Sequence, residues 1–73
     1  MDLYSTPIGA LLGRNLMAAR LCAGLSQQEL AARAGIALGF LAEIEGGVSD
    51  PDLRIIGALA KAVGCAAFEL LKM

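Results

Sequence analysis

The sequence predicts a single all-α domain of five short helices over residues 1–73. Three observations lead there. Glycine and proline fall as punctuation between apolar stretches, and no stretch alternates as a half-buried strand does. Much of the apolar content is alanine, the strongest helix former. Ser26 and Glu29 stand three apart just before Leu30 and Ala31, the pattern of a reciprocal helix cap.

The elements follow in order. A first helix starts near Pro7, with Ser5 or Thr6 as its cap and proline in the first turn. It runs to about Ala23, and Gly24 ends it. Leu12, Leu16 and Ala19 share one face at helical spacing. A second helix is capped by Ser26, runs to Arg33 or Ala34, and is broken by Gly35. A third spans about Leu38 to Glu45, turns Leu41 and Ile44 inward, and stops at Gly46-Gly47. Asp50 then caps a fourth helix with Pro51 at its first position. This helix buries Leu53, Ile56, Leu59, Ala60 and Val63 and ends at Gly64. A short fifth helix covers about Ala66 to Leu71.

Composition narrows the function classes. A chain of 73 residues buries a smaller fraction of its surface than a larger one, so its core is marginal and self-association would help it. Hydrophobic residues make up 58% of it and mean hydropathy is +0.68. A membrane span nevertheless needs roughly 20 apolar residues with few charges. Arg14, Arg20, Glu29, Arg33, Glu43, Arg54, Lys61 and Glu69 interrupt every candidate. The opening Met1-Asp2-Leu3-Tyr4 has no basic segment of the secretory kind, so a cytoplasmic protein is expected.

Cys22 and Cys65 stand far apart in a chain without histidine, which argues against zinc. Two buried free thiols are expected, with a disulfide as the alternative. No Ser-base-acid set and no phosphate-loop pattern is present, and Glu43 and Glu45 diverge two apart on a helix. The expectation is therefore no enzyme, no metal, no cofactor and no small-molecule ligand. A net charge of −1 and a pI near 5.1 weigh against nucleic acid, but net charge does not describe any one face.

The informative stretch runs from Leu25 to Ile44. Two short helices meet at Ala34-Gly35-Ile36, where glycine permits the left-handed conformation of a tight corner. Ala31 is small where the pair would cross, and Leu30, Ile36, Leu41 and Ile44 are apolar where it would pack. LSQQELAARAGI, followed by FLAEIEGGVSDPDL and LAKAVGCAAFELL, resembles the Cro/repressor (Xre-type) helix-turn-helix family. The resemblance covers about Leu12 to Leu71, with the motif at about 26–45. It implies a lambda-repressor-like fold and a sequence-specific, DNA-binding transcriptional regulator. In that family the third helix enters the major groove and the second helix's N-terminus rests on backbone phosphate.

By position, the resemblance assigns Ser26 and Gln27 to phosphate. A helix N-terminus offers free N–H groups and a positive dipole end, and Gln27 adds a side-chain donor. Ser26 can equally be a cap, alone or in addition, and Gln27 a solvated residue. The resemblance also pairs Arg20 with Glu45 beneath the motif, arginine being suited by its forked donors. It places Ala37, Leu38, Gly39, Phe40 and Glu43 at the base edges.

Here the chain departs from the family. Base readout relies on Arg, Lys, Asn or Gln, and none stands at those positions. Leu38 and Phe40 suit thymine methyl groups, and Glu43 suits a cytosine amino group but repels phosphate. Ala37 is a poor cap and Gly39 a poor helix former. Gly47-Val48-Ser49-Asp50 lacks a basic residue. Arg14 and Arg54 are candidate phosphate contacts, or else simply solvated, so few phosphate contacts and a shallow salt dependence are expected.

Repressor-type domains pair two-fold on palindromic half-sites. Phe68, where the family tends to be polar, together with Leu71, Met73 and Ile55, offers an apolar homodimer surface; Phe68 as a core residue is the alternative. The partners expected are double-stranded DNA and a second copy. The competing reading is a protein-interaction module on the same scaffold with DNA binding weakened or lost. The close of the sequence after the fifth helix fits a stand-alone regulator of the Cro-like or restriction-controller kind.

Overall fold

The computed structural model describes residues 7–72. Four α-helices follow one another: α1 Pro7–Cys22, α2 Gln27–Ala34, α3 Leu38–Glu45 and α4 Leu53–Val63. A single 3-10 turn, Ala67–Leu70, closes the fold, and no strand occurs among the described residues. The expected fifth α-helix is thus a 3-10 turn. The four residues Ala67–Leu70 are too few for an α-helix to repay its nucleation, and 3-10 geometry suits short pieces. The expected α1 caps, Ser5 and Thr6, and Met73 at the apolar end lie outside the described residues.

The start of α4 also differs from expectation. Asp52, not Asp50, is the cap: its Oδ1 accepts the Ile55 backbone N–H at 3.0 Å, and Pro51 is buried ahead of the helix. Both Asp-Pro and Pro-Asp satisfy local start rules, and burial of the proline ring selects between them. The shift leaves Leu53 at the first helical position, 76% exposed rather than buried.

The core is wholly aliphatic. Leu12, Leu16, Leu30, Leu41, Ile44, Leu59 and Leu70 are essentially sealed, with Leu25, Ala31, Ile56 and Ala60 buried around them. Ala19 and Val63 pack against this cluster only in part. α1 and α4 clasp α2 and α3, so the outer faces of α2 and α3 remain free. Asn15 ties the C-terminal segment to α1: its Nδ2 donates to the carbonyls of Leu70 at 3.0 Å and Lys72 at 2.7 Å.

The expected pair of buried thiols is not found. Both cysteines are free, and Cys22 is exposed because it lies about a third of a turn away from the Leu12–Leu16 face of α1. Cys65 is half-buried, and desolvation, with Glu69 nearby, holds its thiol above the ordinary pKa. No described helix is long and apolar enough to cross a membrane. The described residues contain no cluster of His, Cys, Asp and Glu fit for a metal.

Candidate nucleic-acid interface

The α2–α3 unit is built from its caps inward. Ser26 Oγ accepts the Glu29 backbone N–H at 3.0 Å, and Glu29 Oε1 accepts the Ser26 N–H at 2.9 Å. That backbone N–H, and then the Ser26 side chain, hold the Glu29 carboxyl below its usual pKa, so it is charged at neutral pH. Gly35 then turns the chain at φ 72°, ψ 33°. Its N–H and that of Ile36 close on the carbonyls of Ala32 and Ala31 at 3.3 and 3.0 Å. A side chain is strained at such a φ, which explains glycine at the corner.

A polar clamp fixes α3 against α1 and α2. Arg20 Nε donates to Glu45 Oε2 at 2.7 Å and Arg20 Nη2 to Glu45 Oε1 at 3.2 Å. Arg20 Nη1 caps the Leu25 carbonyl at 3.0 Å, and Gln27 Nε2 donates to Glu45 Oε1 at 3.0 Å. Glu45 is therefore a buried carboxylate with three side-chain donors. Its position at the C-terminus of α3 is unfavourable for the α3 dipole. The arginine and the adjacent N-terminus of α2 offset that cost.

The clamp needs a close crossing, which Gly13 supplies. A Cβ there would stand 2.6 Å from the Ile44 carbonyl oxygen and 2.7 Å from that of Glu45. Gly47, at φ 77°, meets Ala10 on the same side of α1, where an added Cβ would lie 3.2 Å from its Cα. Neither the Gly13 approach nor the Gln27 bond was visible in the sequence. Glycine inside a helical run signals close approach only when the facing backbone is known, and a glutamine on a surface helix names no partner.

The outward face is different in chemistry. Ser26 is exposed at the α2 N-terminus beside Gln28 and Glu29, while Gln27 is half-buried in the clamp. On α3, Leu38, Gly39, Ala42 and Glu43 face solvent, Ala37 is exposed just before them, and Val48 follows at 65% exposure. Leu38 is 44% exposed. Phe40, expected on this face, packs partly against the core instead, because it falls next to Leu41 on the inward half of the helix. Ala42 takes a place on the outer face that the sequence reading did not assign. Ala37 makes no side-chain cap.

Arg14 and Arg54 are both exposed, as is Arg33 in the last turn of α2. Phe68 is 69% exposed, so it is not a core residue, whereas Ile55 and Leu71 lie half-buried against the core.

The helix-turn-helix family HTH_3 matches residues 16–70, most of the chain. Among solved structures, the restriction-modification controller protein C.AhdI from Aeromonas hydrophila superposes with a TM-score of 0.82 at 31% identity. The match covers 85% of this chain and 94% of that one. A hypothetical transcription factor, NHTF, from Neisseria gives 0.85 at 32% identity, over 89% and 75%. The master regulator for biofilm formation SinR, crystallised in complex with DNA, gives 0.80 at 26% identity, over 84% and 98%. No curated protein matches the sequence.

Proposed function

The chain belongs to the HTH_3 helix-turn-helix family, and from that premise we propose that it is a cytoplasmic DNA-binding transcriptional regulator of the Cro/repressor type. It lays α3 in the major groove of operator DNA and rests the N-terminus of α2 on a phosphate. The observation that carries this reading is the superposition on SinR, a DNA-bound regulator, over 98% of that chain. The clamp supports it as well, since Arg20, Gln27 and Glu45 hold α2 and α3 in one fixed relation.

Ser26 and the free N–H groups of the first turn of α2 meet the phosphate, with Gln27 behind them. Arg14 and Arg54 add contacts to the backbone. Ala37, Leu38, Gly39 and Glu43 face the base edges, with Phe40 at the margin. Two copies pair through Phe68, with Ile55 and Leu71 beside it, and so present two reading helices to a two-fold site.

Fluorescence anisotropy with random duplexes and with duplexes selected from a random pool, at low and moderate salt, tests the proposal. Preferential binding to selected duplexes is the expected result. Its log–log salt slope would be about −4 for a dimer using two arginines per subunit, at about −0.9 per phosphate. Sedimentation should give a dimer that Phe68→Ser dissociates.

A second reading has one observation in its favour. The outer face of α3 holds no hydrogen-bond donor side chain among the described residues, which suits a protein partner better than a base edge. Absence of duplex binding at low salt would count against the regulator and in favour of that module.

A further inference from the structure

If α3 enters the groove, as proposed above, its outer face limits what it can recognise. That face is two columns of residues one turn apart. Leu38 and Ala42 form an apolar column, and Gly39 and Glu43 form the other. The major-groove edge of guanine offers only acceptors, and adenine is distinguished by a paired donor and acceptor. Guanine's acceptors and adenine's N7 find no donor side chain here, and a carboxylate that took adenine's amino donor would lie against that unpaired N7. Two features of the groove do find a match. The thymine C5-methyl is the one apolar group on a base edge, and the cytosine amino group is a donor for a carboxylate.

We propose that this chain selects its operator by thymine methyl groups packed against Leu38 and Ala42, together with one cytosine amino group donating to Glu43. The inference rests on the DNA-binding reading and names its substrate: half-sites marked by thymine methyls and a cytosine, not by guanine contacts. Gly39 serves the same end. It has no Cβ, and an added one would meet nothing of the protein within 4 Å. Its place on the outer face therefore removes a bump and lets the helix backbone approach the base edges. Leu38 and Ala42 are one helical turn apart, about 5–6 Å along the axis, which spans roughly one and a half base-pair steps of about 3.4 Å. The two methyls therefore belong to thymines on neighbouring or next-neighbouring steps.

The test begins with selection of duplexes from a random pool by the wild-type chain at low salt. The enriched half-site is then remade with deoxyuridine in place of thymine, which deletes the methyl and leaves every hydrogen-bonding group in place. Each contacted methyl is expected to contribute about fourfold, so that two deletions weaken binding by about fifteenfold. Leu38→Ala should bind the normal site more weakly and lose the penalty at one of the two thymines. Glu43→Ala, which removes both the acceptor and the charge, should lose the preference for cytosine while binding random duplexes more tightly.

A selected site bound equally well with and without its methyls would overturn the inference while leaving the regulator reading intact. So would a methyl effect that Leu38→Ala and Ala42→Gly leave untouched. Failure of the wild-type chain to enrich any duplex would remove the regulator reading itself, and this inference with it.

Discussion

The two faces of α3 differ in what holds them. Toward the domain, Leu41 and Ile44 are sealed and Glu45 is held by Arg20 and Gln27. Toward solvent, Leu38, Gly39, Ala42 and Glu43 are exposed, Leu38 at 44%, and bring one charge among them. The inward face is over-determined, since packing volume, a buried ion pair and a backbone approach all require the same placement. The outward face is left free by the fold, so its residues record only what the helix meets. One eight-residue helix thus separates a face that the scaffold requires from a face that it leaves to the proposed ligand.

Substitutions three residues apart break the comparison most sharply. Leu41→Ala should cost about 2–5 kcal/mol, since truncating a sealed leucine removes transfer energy and leaves a cavity. That is a large part of the roughly 4–11 kcal/mol that a domain of this length holds in total. Leu38→Ala, on the outer face, should change stability by no more than about 0.5 kcal/mol. Urea midpoints of the two variants check this directly, and equal losses would mean that α3 is not oriented as described.

The clamp comes next. Arg20→Met would strand the Glu45 carboxylate, whose side chain is 1% accessible. Breaking a fully buried pair typically costs about 3–5 kcal/mol. Arg20 itself is 12% accessible and Gln27 still donates, so about 2–3 kcal/mol is expected here. A melting temperature unchanged in Arg20→Met would show the clamp to be dispensable.

Gly13→Ala follows at about 1–3 kcal/mol of destabilisation, the usual range for overpacking. Its sign is informative, because the same substitution in an exposed helix interior gains about 1 kcal/mol from propensity. A net loss would therefore measure the collision with the Ile44 and Glu45 carbonyls, since propensity alone points the other way.

These cases also mark how far the sequence could be read. The reciprocal cap at Ser26 and Glu29, the corner at Gly35 and the inward set Leu12, Leu16, Leu41 and Ile44 follow from local rules that the tertiary fold does not contest. The α4 start is not legible locally, because Asp50-Pro51 and Pro51-Asp52 obey those rules equally and only the burial of Pro51 separates them. For Phe40 the family position points outward, while the helix phase given by Leu41 and Ile44 turns it partly inward. For Cys22 the burial habit of its residue type points inward, while the α1 phase puts it out. At the α4 start a contact with the rest of the fold decides the outcome; for Phe40 and Cys22 the phase of the helix itself decides it. The outer face of α3 is the opposite case: the fold constrains it little, so its role rests on the binding proposed above.

The smallest effect lies where scaffold and ligand face meet, at the start of α2. Glu29 is exposed and charged, and the Ser26 backbone N–H, then its side chain, lower the Glu29 pKa in the folded state. A group with a depressed folded pKa contributes stability that is fully present above its unfolded pKa and is lost as pH falls through the folded one. The contribution should therefore be intact at neutral pH and disappear below the ordinary carboxylate range. Glu29→Gln keeps an oxygen acceptor for the Ser26 N–H but removes the charge. The difference in urea midpoint between wild type and Glu29→Gln should be small at pH 7, in favour of wild type, and should close as the solution is acidified. A difference that persists unchanged into acid would assign the cap to hydrogen bonding alone. The same variant removes a negative charge from the edge of the proposed phosphate site, so it should bind random duplexes more tightly at low salt even as the helix start weakens. Opposite signs in those two measurements would show the residue serving the inward face at the expense of the outward one.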